Sequence, residues 1–172
     1  QEPGDIKVRD LDKNGTIDSN NDRKVLGQLT PKWTAGLNNR FEYKGWELSF
    51  FLYARVGHMI ASQAAGNFNP SGWTNSIACD YWTPENPIND YARIGSKNLG
   101  THYVNKSFIR LDNITVSYRL PQKWTKVVGI QDLRFNASIH NVAVFAPHYD
   151  GWDPESNSPM GRTFNFGINF TL

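Results

Sequence analysis

Cysteine is almost absent. Cys79 is the single copy in 172 residues, which excludes an intramolecular disulfide framework, and no CxxC or Cys/His cluster suggests zinc. Long apolar runs are missing too: the best, from Leu48 to Ile60, is broken by Arg55 and His58, well short of the roughly 18 apolar residues a membrane helix requires. Charge of one sign is not in excess. The 18 Lys and Arg are interleaved with 16 Asp and Glu for a net charge of +2, and with no basic stripe nucleic acid is not a partner. Catalytic signatures are lacking: no Gly-x-Ser-x-Gly or His-Glu-x-x-His occurs, His58, His102, His140 and His148 are scattered, and Glu85 with Asp90 is a weak carboxylate pair. The chain does not read as an enzyme. No signal peptide opens the sequence, where Gln1, Glu2, Pro3 and Gly4 look like loop. A processed chain, or part of something longer, is expected.

What the sequence does have is aromatic residues, 13% of the chain, combined with a negative mean hydropathy of -0.55. Apolar side chains are therefore spread along alternating strands, and five such strands emerge. In the first, Trp33, Ala35, Leu37, Phe41 and Tyr43 alternate with Thr34, Gly36, Asn38, Arg40 and Glu42, and Asn39 is the one breach. Lys44-Gly45 makes a tight turn into a second strand with Trp46, Leu48, Phe50, Leu52, Ala54 and Val56 on its apolar side, a hairpin signature. The third runs from Phe108 to Leu120, stopped by Pro121, and the fourth from about Gln131 to Val142. Between them Gln122 to Ile130 has room for a helical turn. The last, Arg162 to Leu172, sets Phe164, Phe166, Ile168, Phe170 and Leu172 against Thr163, Asn165, Gly167, Asn169 and Thr171.

Strands of about ten residues, greasy on one side and polar on the other, suit an outer-membrane barrel, with lipid on one face and water on the other. Trp33 and Tyr43 stand at the two ends of the first apolar face, where headgroups favour amphipathic rings. This alternation predicts that Leu48, Phe50, Leu52, Phe164, Phe166 and Ile168 face lipid and that Arg40, Glu47, Arg55, Arg134 and His140 face the lumen. Long and short connections alternate, so long loops lie outside the cell and short turns in the periplasm. Five is odd, whereas single-chain bacterial barrels carry an even count starting near eight. The chain cannot close a barrel alone.

The loops hold two constellations. Asp10, Asp12, Asn14, Gly15 and Asp18 fill positions 1, 3, 5, 6 and 9 of an EF-hand-type loop, with the Thr16 carbonyl at 7 and Ile17 at 8. Such spacing wraps hard oxygens around Ca²⁺, and Gly15 allows the sharp turn. Position 12 is Asn21, and the acid that would complete the cage, Asp22, falls one residue late. No amphipathic helix precedes the loop, which excludes an EF-hand sensor domain, and a solvated Asp/Asn/Gly turn cluster is the plainer alternative. The second set is aromatic: Trp73, Tyr81, Trp82, Tyr91 and Trp152. Exposed rings stack on sugars or anchor partners, but packing of loops against each other is the commoner use.

Several runs resemble the C-terminal region of the SusC-like TonB-dependent receptors. They are Gly4-Asp5-Ile6-Lys7 leading into Asp10 to Asp18, Leu26-Gly27 through Pro31-Lys32-Trp33 and Gly36-Leu37-Asn38-Asn39, Tyr81-Trp82-Thr83-Pro84-Glu85-Asn86-Pro87, Phe108 to Tyr118 with Leu120-Pro121, Ser138-Ile139-His140-Asn141, and Tyr149 to Glu155. The spacing of Asn165, Gly167, Phe170 and Leu172 also resembles the terminal signal by which barrel strands are recognised during assembly. The resemblance implies an all-β fold, a transmembrane antiparallel β-barrel in which this chain supplies the last five strands of about 22. It implies an outer-membrane importer of oligosaccharides or peptides in a Gram-negative bacterium. The implied partners are the N-terminal remainder with its plug and earlier strands, a SusD-like surface lipoprotein, TonB through that absent N-terminal part, and membrane lipid.

The expected division is an extracellular acidic loop over 1–32, a hairpin over 33–57, a long extracellular loop over 58–106 and three strands over 107–172. A soluble β-rich module for calcium-dependent carbohydrate binding or adhesion is the competing function, and a need for detergent separates the two.

Overall fold

The structure, a computed structural model, describes residues 2–61, 80–96, 103–149 and 151–172. Trp73 and Cys79 lie outside them. Two compact units are present: Gln1–Leu29 with Met59–Asn105, and Thr30–His58 with Lys106–Leu172.

The second unit is one five-stranded antiparallel sheet. Its strands are β1 (Trp33–Tyr43), β2 (Trp46–Val56), β5 (Phe108–Arg119), β6 (Asp132–Phe145) and β7 (Thr163–Thr171), and they lie side by side in chain order. All five expected strands are there, their ends shifted by up to three residues. Lys44 and Gly45 have φ of 47° and 85°, the left-handed pair that a two-residue hairpin of matching twist demands. The Gly45 carbonyl accepts the Arg119 N–H at 2.8 Å, tying the turn to β5. After β5, Pro121 precedes a single helical turn, α1 (Gln122–Thr125), and a 3-10 turn, Lys126–Val128, ended by Gly129 at φ 77°.

Register brings the apolar positions into continuous rows. Tyr43, Trp46, Tyr118, Phe135 and Ile168 form one, followed by Phe41, Leu48, Val116, Ala137 and Phe166, then by Asn39, Phe50, Ile114, Ile139 and Phe164. Beyond these lie Leu37, Leu52, Leu111 and Ala143, and then Ala35, Ala54, Ile109 and Phe145. From Trp33 to Tyr43 the chain advances roughly 33 Å at about 3.3 Å per residue. Tilted as barrel strands are, that spans a band about 25 Å tall.

Alternation does not run unbroken through β5. Leu111 lies on the apolar face and Asn113 on the polar face, so Asp112 is an extra residue, and both neighbouring registers shift there. A single inserted residue reverses the phase of everything beyond it. Phe108 and Arg110 consequently share the polar face with Asn113, Thr115 and Ser117.

Inside the long connection from β2 to β5, two short strands that alternation did not reveal, β3 (Met59–Ala61) and β4 (Tyr103–Asn105), pair antiparallel. In the same unit the Met59 N–H donates to the Gln28 carbonyl at 2.8 Å, and a Cβ on Gly27 would stand 2.4 Å from the Met59 sulfur. Only glycine lets the 24–29 segment lie against this hairpin.

Candidate functional site

The polar face of the sheet holds two charged clusters. Near the hairpin turn, Glu47 accepts from Arg40 at 2.9 Å and from Arg134, joining β1, β2 and β6 through one carboxylate. Arg40 also pairs with Glu42 at 2.5 Å, and Arg119 with Asp132 at 3.2 Å. Rows of Ser49, Thr115, Ser138 and Asn165, then Asn113, His140 and Thr163, continue the polar surface. Arg40, Glu47, Arg55, Arg134 and His140 thus share one face, and Leu48, Phe50, Leu52, Phe164, Phe166 and Ile168 share the other.

The second cluster centres on Arg110, which is 1% exposed and the largest fully buried side chain among the described residues. Its Nη2 donates to Asp153 Oδ2 at 2.6 Å and its Nη1 to Asn141 Oδ1 at 2.5 Å. Glu155 Oε2 lies 3.6 Å from Arg110 Nε, and Glu155 also pairs with Arg55 at 2.8 Å and accepts from the Tyr53 hydroxyl. The Arg110 guanidinium lies 5.6 Å from the centre of the Phe108 ring, which itself meets Tyr53 edge-on.

The arrangement has an identifiable origin. The Asp112 bulge turns Arg110 to the polar side, and Asn141, at φ 53°, occupies the matching irregularity of β6. Its Nδ2 donates to the Gly161 carbonyl at 3.3 Å, so one amide ties β6 to the end of the β6–β7 loop. Asp153 is 3% exposed. Burial alone would raise its pKa, but the Arg110 hydrogen bond, the Ser156 and Glu155 N–H groups and the Arg110 charge outweigh that and hold it below the usual carboxylate value. Two acids on one loop are therefore fastened to a wall of arginine and tyrosine. Trp152, next to the buried Asp153, is 75% exposed, so the fastening presents an indole to its surroundings.

In the other unit the acidic loop closes on itself. Asp10 accepts the N–H of Lys13 at 2.6 Å and of Gly15 at 2.8 Å, and Asp12 accepts the N–H and the amide of Asn14. Asp22, one residue late by sequence, reaches in: its two oxygens accept the N–H of Leu11 at 2.6 Å and of Asp18 at 2.8 Å. Carboxylate oxygens of Asp10, Asp12 and Asp22 converge within 4.8 Å of one another. Asp18 turns instead to the N–H groups of Asn20 and Asn21, and Asn14 Oδ1 to that of Thr16. The Gly15 N–H lowers the Asp10 pKa, and those of Asn21 and Asn20 lower that of Asp18.

Tyr81 and Trp82 are half-buried. A Cβ on Gly4 would stand 2.4 Å from the Trp82 ring, and Arg93, which pairs with Glu2 at 2.6 Å and Asp5 at 3.0 Å, donates its N–H to the Gly4 carbonyl. Trp82 packs loop on loop.

No protein-family model matches the chain. It is 36% identical over 192 aligned residues to TonB-dependent receptor P3 of Formosa agariphila, across 98% of this chain and 19% of that protein. It is 26% identical to TonB-dependent receptor SusC of Bacteroides thetaiotaomicron, across 93% of this chain and 17% of SusC. The chain is thus similar to TonB-dependent receptors, SusC among them. It spans about a fifth of the length of the relatives it matches. Among solved structures, the RagAB peptide transporter superposes with a TM-score of 0.69 at 26% identity, over 82% of this chain and 17% of that one. The RagAB importer in its open-open state gives 0.75 at 23% identity, over 91% and 19%. The five-stranded sheet is thus a section of a receptor barrel wall, and the rows described above are the two sides of that wall.

Proposed function

We propose that this segment forms lipid-facing and lumen-facing wall in an outer-membrane importer of oligosaccharides or peptides that works with a SusD-like surface lipoprotein and draws energy through TonB. The observation carrying this reading is an inside-out distribution of residues. Among the described residues an arginine is the largest fully buried side chain, while Phe41, Phe145, Phe164, Phe166, Ile168 and Phe170 are all exposed on one face. In water such a face would need a covering layer. In a bilayer lipid is that layer, and the ion-paired face borders a water-filled passage.

The β2–β5 connection leaves the sheet at the end opposite the Lys44-Gly45 turn, which supports an extracellular position for that connection and a periplasmic one for the turn. Trp152, exposed on an anchored loop of the same sheet, is among the described loop residues the ring best placed to touch cargo. Fractionation tests this reading: the full-length receptor should sediment with outer membranes, resist carbonate extraction and dissolve in detergent. Recovery from the soluble fraction would overturn it.

The acidic loop fits Ca²⁺, with Asp10, Asp12 and Asp22 as the carboxylate ligands, because these three converge without help from distant chain. Calorimetric titration of the receptor with Ca²⁺ should show a site that Asp22→Asn weakens more than Asp18→Asn. Equal heats in wild type and Asp22→Asn would remove the assignment.

A further inference from the structure

Among the described residues the apolar face carries, apart from the tyrosines Tyr43 and Tyr118 at its turn end, one polar side chain, and it stands near the middle of the band. Asn39 heads the row of Phe50, Ile114, Ile139 and Phe164, with Leu37 and Phe41 on either side along β1. Its cross-strand partner on β2 is a phenylalanine, and no hydrogen bond to its amide exists among the described residues. An amide left unpaired in hydrocarbon is costly. β1 is also the free edge of the sheet, so the one neighbour able to supply a partner is the strand that pairs with that edge. Directly opposed Cβ atoms on paired strands lie about 5 Å apart, within reach of an amide.

We infer that the Asn39 side chain hydrogen-bonds to a polar side chain on the adjoining strand of the same receptor, and that this pair fixes the register of the junction. The inference rests on the barrel-wall reading. Alternation alone forbids slips by one residue, since these would turn the apolar set into the lumen. It does not forbid slips by two, which keep every side chain on its own face. A single polar pair in an apolar field does forbid them, because any such slip sets the amide against hydrocarbon. A buried asparagine specifies register in coiled coils by the same logic.

The test uses the full-length receptor in outer membranes, with Cys79→Ser as background. The readout is the temperature at which the folded barrel loses its compact mobility on an SDS gel. Asn39→Leu should lower it by several degrees, although it replaces an amide by a more lipophilic group. An unchanged or higher temperature overturns the inference, because an amide that merely faced lipid would be improved upon by leucine. A crosslinking arm reads register itself, pairing Leu37→Cys with single cysteines stepped along the apolar positions of the adjoining strand. One position should react when Asn39 is present, and positions two residues away should join it in Asn39→Leu. One reactive position in both backgrounds also overturns the inference. Leu48→Asn reports on the underlying reading: it should lower the transition, and if it does not, the face is not in lipid and both conclusions fall together.

Discussion

Arg110 shows how one side chain can hold a loop against a wall. Its two Nη atoms bind Asp153 on the β6–β7 loop and Asn141 on β6, so truncation strands a buried carboxylate. Removing one member of a buried pair costs about 3–5 kcal/mol, and Arg110→Ala should lose that much barrel stability and expose the loop to protease. Asp153 adds a pH signature. Its folded pKa lies below the unfolded value of 3.8, so its contribution is fully present above about pH 5 and fades as pH falls through the folded pKa. Unfolding transitions measured between about pH 6 and 3 should shift downward in acid, and Asp153→Asn should flatten that shift. At the turn, Gly45 combines φ 85° with a position where a Cβ would stand 2.8 Å from the Arg119 carbonyl. Gly45→Ala should cost at least about 1 kcal/mol, read as a lower transition temperature, while Lys44→Asn should be neutral or better. Gly45 was legible in the sequence because a turn signal is local. Arg110 was not, since its acid is 43 residues away and its direction depends on a bulge.

The strand is the element whose sequence spoke most plainly. In β2 and β7 the apolar positions recur from end to end, in β1 Asn39 is the one exception, and the faces read from the alternation are those the register assembles. β5 departs because Asp112 inserts a residue without any punctuation by glycine or proline, and a polar residue in a half-polar strand looks ordinary. The hairpin of β3 and β4 escaped for a different reason: strands of three residues carry too few positions to display a period. Depth on the apolar face should set the cost of charge there. Ile114→Arg, in the row nearest the middle of the band, should destabilise the barrel by about 2–4 kcal/mol, whereas Thr115→Arg, its neighbour on the polar face, should stay within about 0.5 kcal/mol. Folding titrations into lipid vesicles would measure both. Equal penalties would mean that the two faces meet the same solvent.

At the scale of the whole chain, the sheet has two edges, β1 and β7, that no described residue covers, and an apolar face with no second layer. Either feature alone is tolerable in a soluble domain; together they leave the sheet unable to satisfy its backbone or hide its aromatics in water. The relatives are about five times longer, long enough to hold further strands for both edges, and the odd count of five strands visible in the sequence argues for a larger barrel in the same direction. Produced alone, these 172 residues should aggregate in aqueous buffer and show no heat-modifiable band after addition of detergent micelles. Produced together with the remainder of the receptor as a separate polypeptide, they should recover that band, because the two edges then find strands. A monodisperse, cooperatively unfolding monomer of the isolated chain in water would contradict the membrane reading directly, since such a monomer would have to cover both edges and the apolar face with its own residues.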